Sequence, residues 1–100
     1  MLIQLDSKNF DESIKNGFKL VVFSAKWCSF CQKLKPEMEK VALNGYWIGE
    51  IDVDKNQSLI QAYEINGFPT TFIFNNGKLI GSIIGYQKSS EILNYLKRYA

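Results

Sequence analysis

Short apolar runs alternate with amphipathic stretches along the whole chain, and that alternation predicts strands separated by helices. Leu2 to Leu5 reads as a short strand, after which Asp6 or Ser7 is placed to cap a helix with Phe10 and Ile14 on its inward face. Asn16-Gly17 ends that helix. Lys19 to Ala25 is a continuous, mostly apolar strand of the kind covered on both faces of a parallel sheet. A second helix is expected to begin near Cys28. Within it Cys31, Leu34, Met38, Val41 and Ala42 recur at three- and four-residue steps, which puts Cys31 on the inward stripe. Pro36 has no N–H for the carbonyl of Gln32, so a bend in this helix is expected.

Tyr46 to Val53 is the third strand, Asp54 to Gln57 a turn and cap, and Leu59, Ile60 and Tyr63 the apolar side of a short helix. Gly67-Phe68-Pro69 then interrupts the pattern. Thr70 to Phe74 and Leu79 to Ile84 are β-rich runs joined by Asn75-Asn76-Gly77-Lys78, and Asn-Gly between such runs predicts an antiparallel hairpin. Ser89 or Ser90 caps a last helix with Ile92, Leu93, Leu96 and Tyr99 inward and Glu91 in its first turn. The order β-α-β-α-β-α-β-β-α is that of an α/β fold: a central mixed sheet with helices on both faces. No repeat, low-complexity tract or linker divides the chain, so residues 1–100 read as one unit.

Composition narrows the function. Of 100 residues, 46% are hydrophobic, 14% aromatic and 22% charged, enough for a packed core and against disorder. The longest aliphatic and aromatic run, Leu20 to Phe23, is far short of the roughly 20 residues of a membrane span. Asp6 and Lys8 interrupt Met1 to Phe10, where a secretory signal needs an apolar stretch, so the cytoplasm is the expected compartment; the chain is separately expected to be a monomer. Twelve basic against ten acidic residues give a net charge of +2, with the signs interleaved. No basic cluster exceeds Lys97-Arg98, so nucleic acid is not an expected partner. The chain has no histidine. Catalytic triads, imidazole bases and histidine metal sites are therefore excluded.

The two cysteines lie in Trp27-Cys28-Ser29-Phe30-Cys31, where a buried strand passes into a helix. The free N–H groups of a first helical turn and the positive end of the helix dipole favour a thiolate, most of all at Cys28. Lys26 adds little from the surface. A zinc or iron–sulfur site would need further thiolates from a second chain, and a disulfide closing so short a loop is a weak staple. Redox chemistry is the better reading. An apolar ring at Phe30, between reactive cysteines, reads as part of an interaction surface.

The apolar strand leading into Trp27-Cys28-x-x-Cys31, Pro36 beyond it, Gly67-Phe68-Pro69-Thr70, the Asn76-Gly77 hairpin and Gly85 together resemble the thioredoxin family over essentially the whole chain. The resemblance implies the thioredoxin fold, a cis Phe68-Pro69 bond beside the cysteines, and thiol–disulfide exchange with Cys28 as nucleophile and Cys31 as resolver. It implies substrate peptides lying across Trp27, Ser29, Phe30, Phe68, Pro69, Ile84 and Gly85, largely through main-chain bonds. It further implies no bound cofactor, disulfide-containing proteins as substrates, and electrons from NADPH through a flavoprotein of the thioredoxin-reductase kind. A protein-disulfide reductase is the favoured function. A disulfide oxidase or isomerase, or a non-catalytic binding module on the same groove, are the alternatives.

Two positions depart from the family pattern. Ser29-Phe30 stands where Gly-Pro is usual, which leaves the redox poise open. Val22 stands where a buried acid is expected ahead of the first cysteine, and Glu50, in the neighbouring strand, where a lysine is usual. Glu50 is expected to take over the acid's task of receiving the proton of Cys31; the competing reading is that it merely pairs with a surface lysine or water.

Overall fold

The computed structural model of the protein describes residues 2–99; Met1 and Ala100, the ends of the unit read from sequence, lie outside the described residues. The elements are β1 (Ile3–Leu5), α1 (Phe10–Ile14), β2 (Phe18–Ser24), α2 (Ser29–Ala42), β3 (Trp47–Asp52), α3 (Gln57–Ala62), β4 (Thr70–Asn75), β5 (Lys78–Ile84) and α4 (Ser89–Leu96). Short 3-10 turns follow β3 at Val53–Lys55 and α4 at Lys97–Tyr99. The order of strands and helices is the one the hydrophobic pattern predicts.

The sheet runs β1-β3-β2-β4-β5, with β3 parallel to both β1 and β2, and β4 antiparallel to both β2 and β5. This is the α/β mixed sheet of the thioredoxin fold. Because side chains alternate along a strand, β2 sends Val21 and Phe23 to one face and Leu20 and Val22 to the other. The two faces acquire different cores. Phe10, Phe23, Phe72 and Phe74 pack below α1 and α3 with half-buried Tyr63, at ring separations of 5.7 Å for Phe10–Phe74, 5.2 Å for Phe23–Phe72 and 5.4 Å for Tyr63–Phe72. Edge-on contacts of this kind suit the quadrupoles of the rings. Leu34, Met38 and Val41 of α2 and Ile92 and Leu96 of α4 close the opposite, aliphatic core over Leu20, Val22, Ile48 and Ile73. Among the described residues no helix is long and apolar enough to cross a membrane.

Several local expectations change in detail. Helix α1 is preceded by Asn9, not capped by Asp6 or Ser7. Asp6 instead accepts the amides of Lys8 (2.9 Å) and Asn9 (3.0 Å), forming the turn that leads into the helix. Helix α4 starts at Ser89, so neither serine caps it. Two carboxylates do that work: Glu91 accepts the Lys88 amide at 3.1 Å and Glu37, from α2, accepts the Ser89 amide at 2.8 Å. The Ser89 amide, helped by nearby Lys40, holds the Glu37 carboxyl below its usual range. A carboxylate reaches further than a serine hydroxyl, which is why a cap can come from another helix.

Helix α2 runs unbroken through Pro36. The hairpin turn is as predicted: Asn76 (φ 51°) and Gly77 (φ 84°) both adopt the left-handed conformation that a two-residue turn between twisted strands requires. Val53 leaves β3 for the 3-10 turn, where Asp52 accepts the amide of Asp54 at 3.0 Å.

Leu34, 1% exposed, joins the helix bearing the cysteines to the sheet. Leu34→Ala should cost about 3 kcal/mol through lost burial and a residual cavity, read as a lower urea midpoint with an unchanged slope.

Candidate active site

The end of β2 and the start of α2 meet in a tight connection. The amide of Cys28 donates to the carbonyl of Ala25 at 3.2 Å, and Cys28 itself is the N-cap of α2 with extended backbone angles, φ −93° and ψ 113°. That conformation turns its sulfur back over the first helical turn. There Sγ accepts the amide N–H of Cys31 at 3.2 Å, one of the donors that a helix start leaves unpaired. The sulfur thus takes the place usually filled by a serine or aspartate oxygen. The Cys28 thiol also donates to the carbonyl of Phe68 at 3.7 Å. The Phe68-Pro69 peptide is cis, as the family resemblance implies.

Both cysteines are free thiols and both are largely covered, Cys28 9% and Cys31 4% exposed. Exposure alone does not distinguish them. Their surroundings do, because the Cys31 thiol is pushed up to about 12, first by burial and then by its contact with Cys28, with the charge of Glu50 adding to the effect. A thiol held so far above neutrality is a poor nucleophile until something takes its proton.

An apolar rim surrounds the pair. Trp27 is 68% exposed, Phe30 56% and Ile84 68%. The Trp27 indole N–H donates to both carboxylate oxygens of Asp54, at 3.2 and 3.0 Å, and its ring meets half-buried Phe68 edge-on at 6.2 Å. Ser29 is exposed as the first residue of α2, and Lys33 lies over the Phe30 ring with its ammonium 5.3 Å from the centroid. The loop after β5 is tied to the proline loop by the Gly85 amide, which donates to the Pro69 carbonyl at 2.9 Å. Gly85 has φ 83°, a conformation that disfavours any side chain. All the residues singled out from the sequence for substrate contact therefore lie on segments that converge on Cys28.

Behind Cys31 a polar cleft of about 320 Å³ is lined by Gln4, Ser24, Gln32, Lys35, Glu50 and Cys31 itself. Glu50 is mostly enclosed, its side chain 13% exposed. Its Oε1 accepts from Gln4 Nε2 at 2.6 Å and lies 3.7 Å from the Lys35 ammonium, while Oε2 accepts from the Ser24 hydroxyl at 3.4 Å. Both readings of Glu50 thus find a counterpart, a cleft shared with Cys31 and a lysine partner. Strand register explains the location. Gln4, Glu50, Val22, Thr71 and Ile83 are successive partners across the sheet, so their side chains leave from one face. Val22 in this row is sealed in the aliphatic core; the carboxylate stands one strand outward, about 4.8 Å away along the row.

Sequence reading missed Asp54, Gln4, Ser24 and Lys35. Lys35 had a signal, since it lies one helical turn beyond Cys31 and on its side of α2. Gln4 had none, because its partner is 46 residues away. Among the described residues no group of three or more His, Cys, Asp or Glu side chains is placed to hold a metal ion.

Comparison with known proteins agrees with this geometry. The family model described as Thioredoxin matches residues 1–98. The chain is similar to "Thioredoxin" of Chlamydia pneumoniae, 33% identical over 98 residues, which span 96% of each chain. It is also similar to "Thioredoxin" of Staphylococcus haemolyticus, 31% identical over 103 residues covering 98% of this chain and 97% of the relative.

The raised Cys31 thiol has a direct test. At pH 8 its alkylation by iodoacetamide in the native protein should be at least about a hundredfold slower than in the urea-unfolded chain, because so little thiolate is present. The native rate should also keep rising beyond about pH 10, where an ordinary thiol has levelled off; an earlier plateau in peptide mass spectra would contradict the effect of burial.

Proposed function

The chain belongs to the thioredoxin family and is a thiol–disulfide oxidoreductase of the protein-disulfide reductase kind, and from that premise we propose the following roles for its residues. Cys28 is the nucleophile. Its sulfur attacks one sulfur of a substrate disulfide, the substrate S–S bond breaks, one thiolate leaves, and a mixed disulfide joins Cys28 to the other sulfur. Cys31 then gives its proton to Glu50 and attacks Cys28 Sγ. The mixed disulfide breaks, the second substrate sulfur leaves as a thiolate, and Cys28 and Cys31 are left as a disulfide that has passed two electrons to the substrate.

One observation carries this assignment: the Cys31 amide points at Cys28 Sγ at 3.2 Å from the start of α2. Negative charge that develops on this sulfur meets a preorganised N–H donor and the positive end of a helix. Cys31 has the opposite environment, a covered thiol pushed up to about 12, which suits a group that acts second and only when its proton is removed. Glu50 is proposed as the acceptor of that proton because it shares the cleft with Cys31 and lies mostly out of water.

Trp27, Ser29, Phe30, Phe68, Pro69, Ile84 and Gly85 are proposed as the surface on which the substrate peptide lies. The support is an exposed apolar rim around a reactive sulfur, on loops fixed to one another by hydrogen bonds. Disulfide-bearing proteins are the substrates in this reading, and residues 1–100 act as one unit. The resulting Cys28–Cys31 disulfide is returned to the dithiol by a flavoprotein reductase using NADPH, with no cofactor held by this chain. A reductase needs a reducing compartment, so we place its work in the cytoplasm.

Purified protein should accelerate insulin reduction by dithiothreitol, Cys28→Ser should abolish the effect, and Cys31→Ser should stall as a mixed disulfide visible by mass spectrometry. Glu50→Gln should slow the resolving step at least about tenfold at neutral pH while Cys28 still attacks. Equilibration with glutathione should give a potential near about −270 mV, the reference value for thioredoxin and not a quantity deduced from this fold; one near about −120 mV would make the chain an oxidant instead.

A further inference from the structure

The carboxylate of Glu50 is held unevenly. Oε1 receives a short hydrogen bond of 2.6 Å from the Gln4 amide and lies 3.7 Å from the Lys35 ammonium. Oε2 has a 3.4 Å contact from the Ser24 hydroxyl, long for an O–H donor. The three groups come from three elements: Gln4 from edge strand β1, Ser24 from the end of β2, and Lys35 from α2, one turn beyond Cys31. We infer that Gln4 and Lys35 are positioning residues for the resolving step: by occupying Oε1 they leave Oε2 as the oxygen that takes the proton of Cys31.

The inference rests on the reading of Glu50 as proton acceptor and adds how that acceptor is oriented. Its physical basis lies in the cross-strand row. An acid at the Val22 position would be gripped by packing on every side, but Val22 is aliphatic and the carboxylate stands one strand further out, on a side chain of three rotatable bonds. Without partners it would swing into water and lose its aim. Gln4, directly opposite in register, fixes the direction, and the Lys35 ammonium draws the same oxygen towards α2. The remaining charged or titratable groups facing the cleft are Lys26 after β2, Cys31 on α2 and Asp52 on β3 itself. Lys26 is exposed and Asp52 half-buried, and both line the same cleft as Glu50.

The proton balance is simple. Cys31 S–H loses its proton to Oε2, the Cys31 sulfur bonds to Cys28 Sγ, and the bond from Cys28 to the substrate sulfur breaks with the electron pair leaving on the substrate. The negative charge moves from Glu50 to the departing thiolate. Gln4 and Lys35 act on this step through the aim of Oε2, so removing either should slow resolution.

The test uses the full chain carrying thionitrobenzoate on Cys28, with release of the coloured thiolate followed by stopped flow across a pH series. Lys35→Met should lower the release rate at neutral pH about threefold, a modest loss because Lys35 is half exposed. Lys35→Arg should restore the rate. Gln4→Met, close to the same size but without the donor, should lower the rate by a similar factor. High salt should slow the parent and leave Lys35→Met unchanged. In a Glu50→Gln background neither substitution should have a further effect. Slow release in Glu50→Gln together with normal rates in Lys35→Met and Gln4→Met would overturn this inference alone, as would effects that persist undiminished in the Glu50→Gln background. Normal release in Glu50→Gln would instead overturn the assignment of Glu50 itself. Since Lys35 is a half-exposed helix position, Lys35→Met keeps the inference open to refutation even where Gln4→Met disturbs β1.

Discussion

Everything at this site depends on one hydrogen bond, from the backbone amide of Cys31 to the sulfur of Cys28 at 3.2 Å. It exists because Cys28 is the cap of α2, extended in backbone while the next residue is already helical. A helix start presents N–H groups with no partner inside the helix, and a capping atom is whatever polar group the chain places there. Here that atom is sulfur. The same geometry that ends β2 and begins α2 therefore aims a backbone donor at the Cys28 sulfur, and it turns the second cysteine inward onto the buried stripe of the helix.

The sheet makes this arrangement rigid. Helix α2 is held on the aliphatic face by Leu34, Met38 and Val41, while the aromatic face anchors α1 and α3 and, through them, the segment that carries Phe68-Pro69. Four segments from four strand ends can then be joined without any of them needing to be stable alone: Trp27 is fastened to Asp54, Cys28 to Phe68, and Gly85 to Pro69. Apolar rings left exposed on such a frame are ordered in advance, so a peptide that lies across them loses less freedom on the protein's side.

The proposed relocation of the acid illustrates how a fold can accommodate change at a chemical position. A row of side chains across the sheet offers several places from which a carboxylate can serve the same helix. With Val22 in the core, the burial cost of a charge beneath α2 is avoided, and Glu50 obtains its compensation from Gln4, Ser24 and Lys35 at the margin of the cleft. The arrangement is wetter and more dependent on side-chain partners than a fully enclosed acid.

How far this was legible depends on distance along the chain. The alternation of elements, the Asn76-Gly77 turn, the inward stripe of α2 with Cys31 on it, and the cysteine pair at a helix start are local patterns, set by side-chain periodicity and by the conformations that Gly, Asn and Pro permit. The amino-acid sequence by itself determined these, and with them the kind of chemistry. The cap of α4 was misread because carboxylates, one of them reaching over from another helix, take the amides a serine would have capped, and that of α1 because Asp6 makes the turn before Asn9 instead. Only the tertiary structure decided that Gln4, Ser24, Lys35 and Glu50 share a cleft with Cys31 and that Asp54 fastens Trp27. Those meetings follow from strand register and from the seating of α2 on the sheet, which are settled by the packing of whole faces and, apart from the helical spacing of Cys31 and Lys35, leave no signature in any short stretch of sequence.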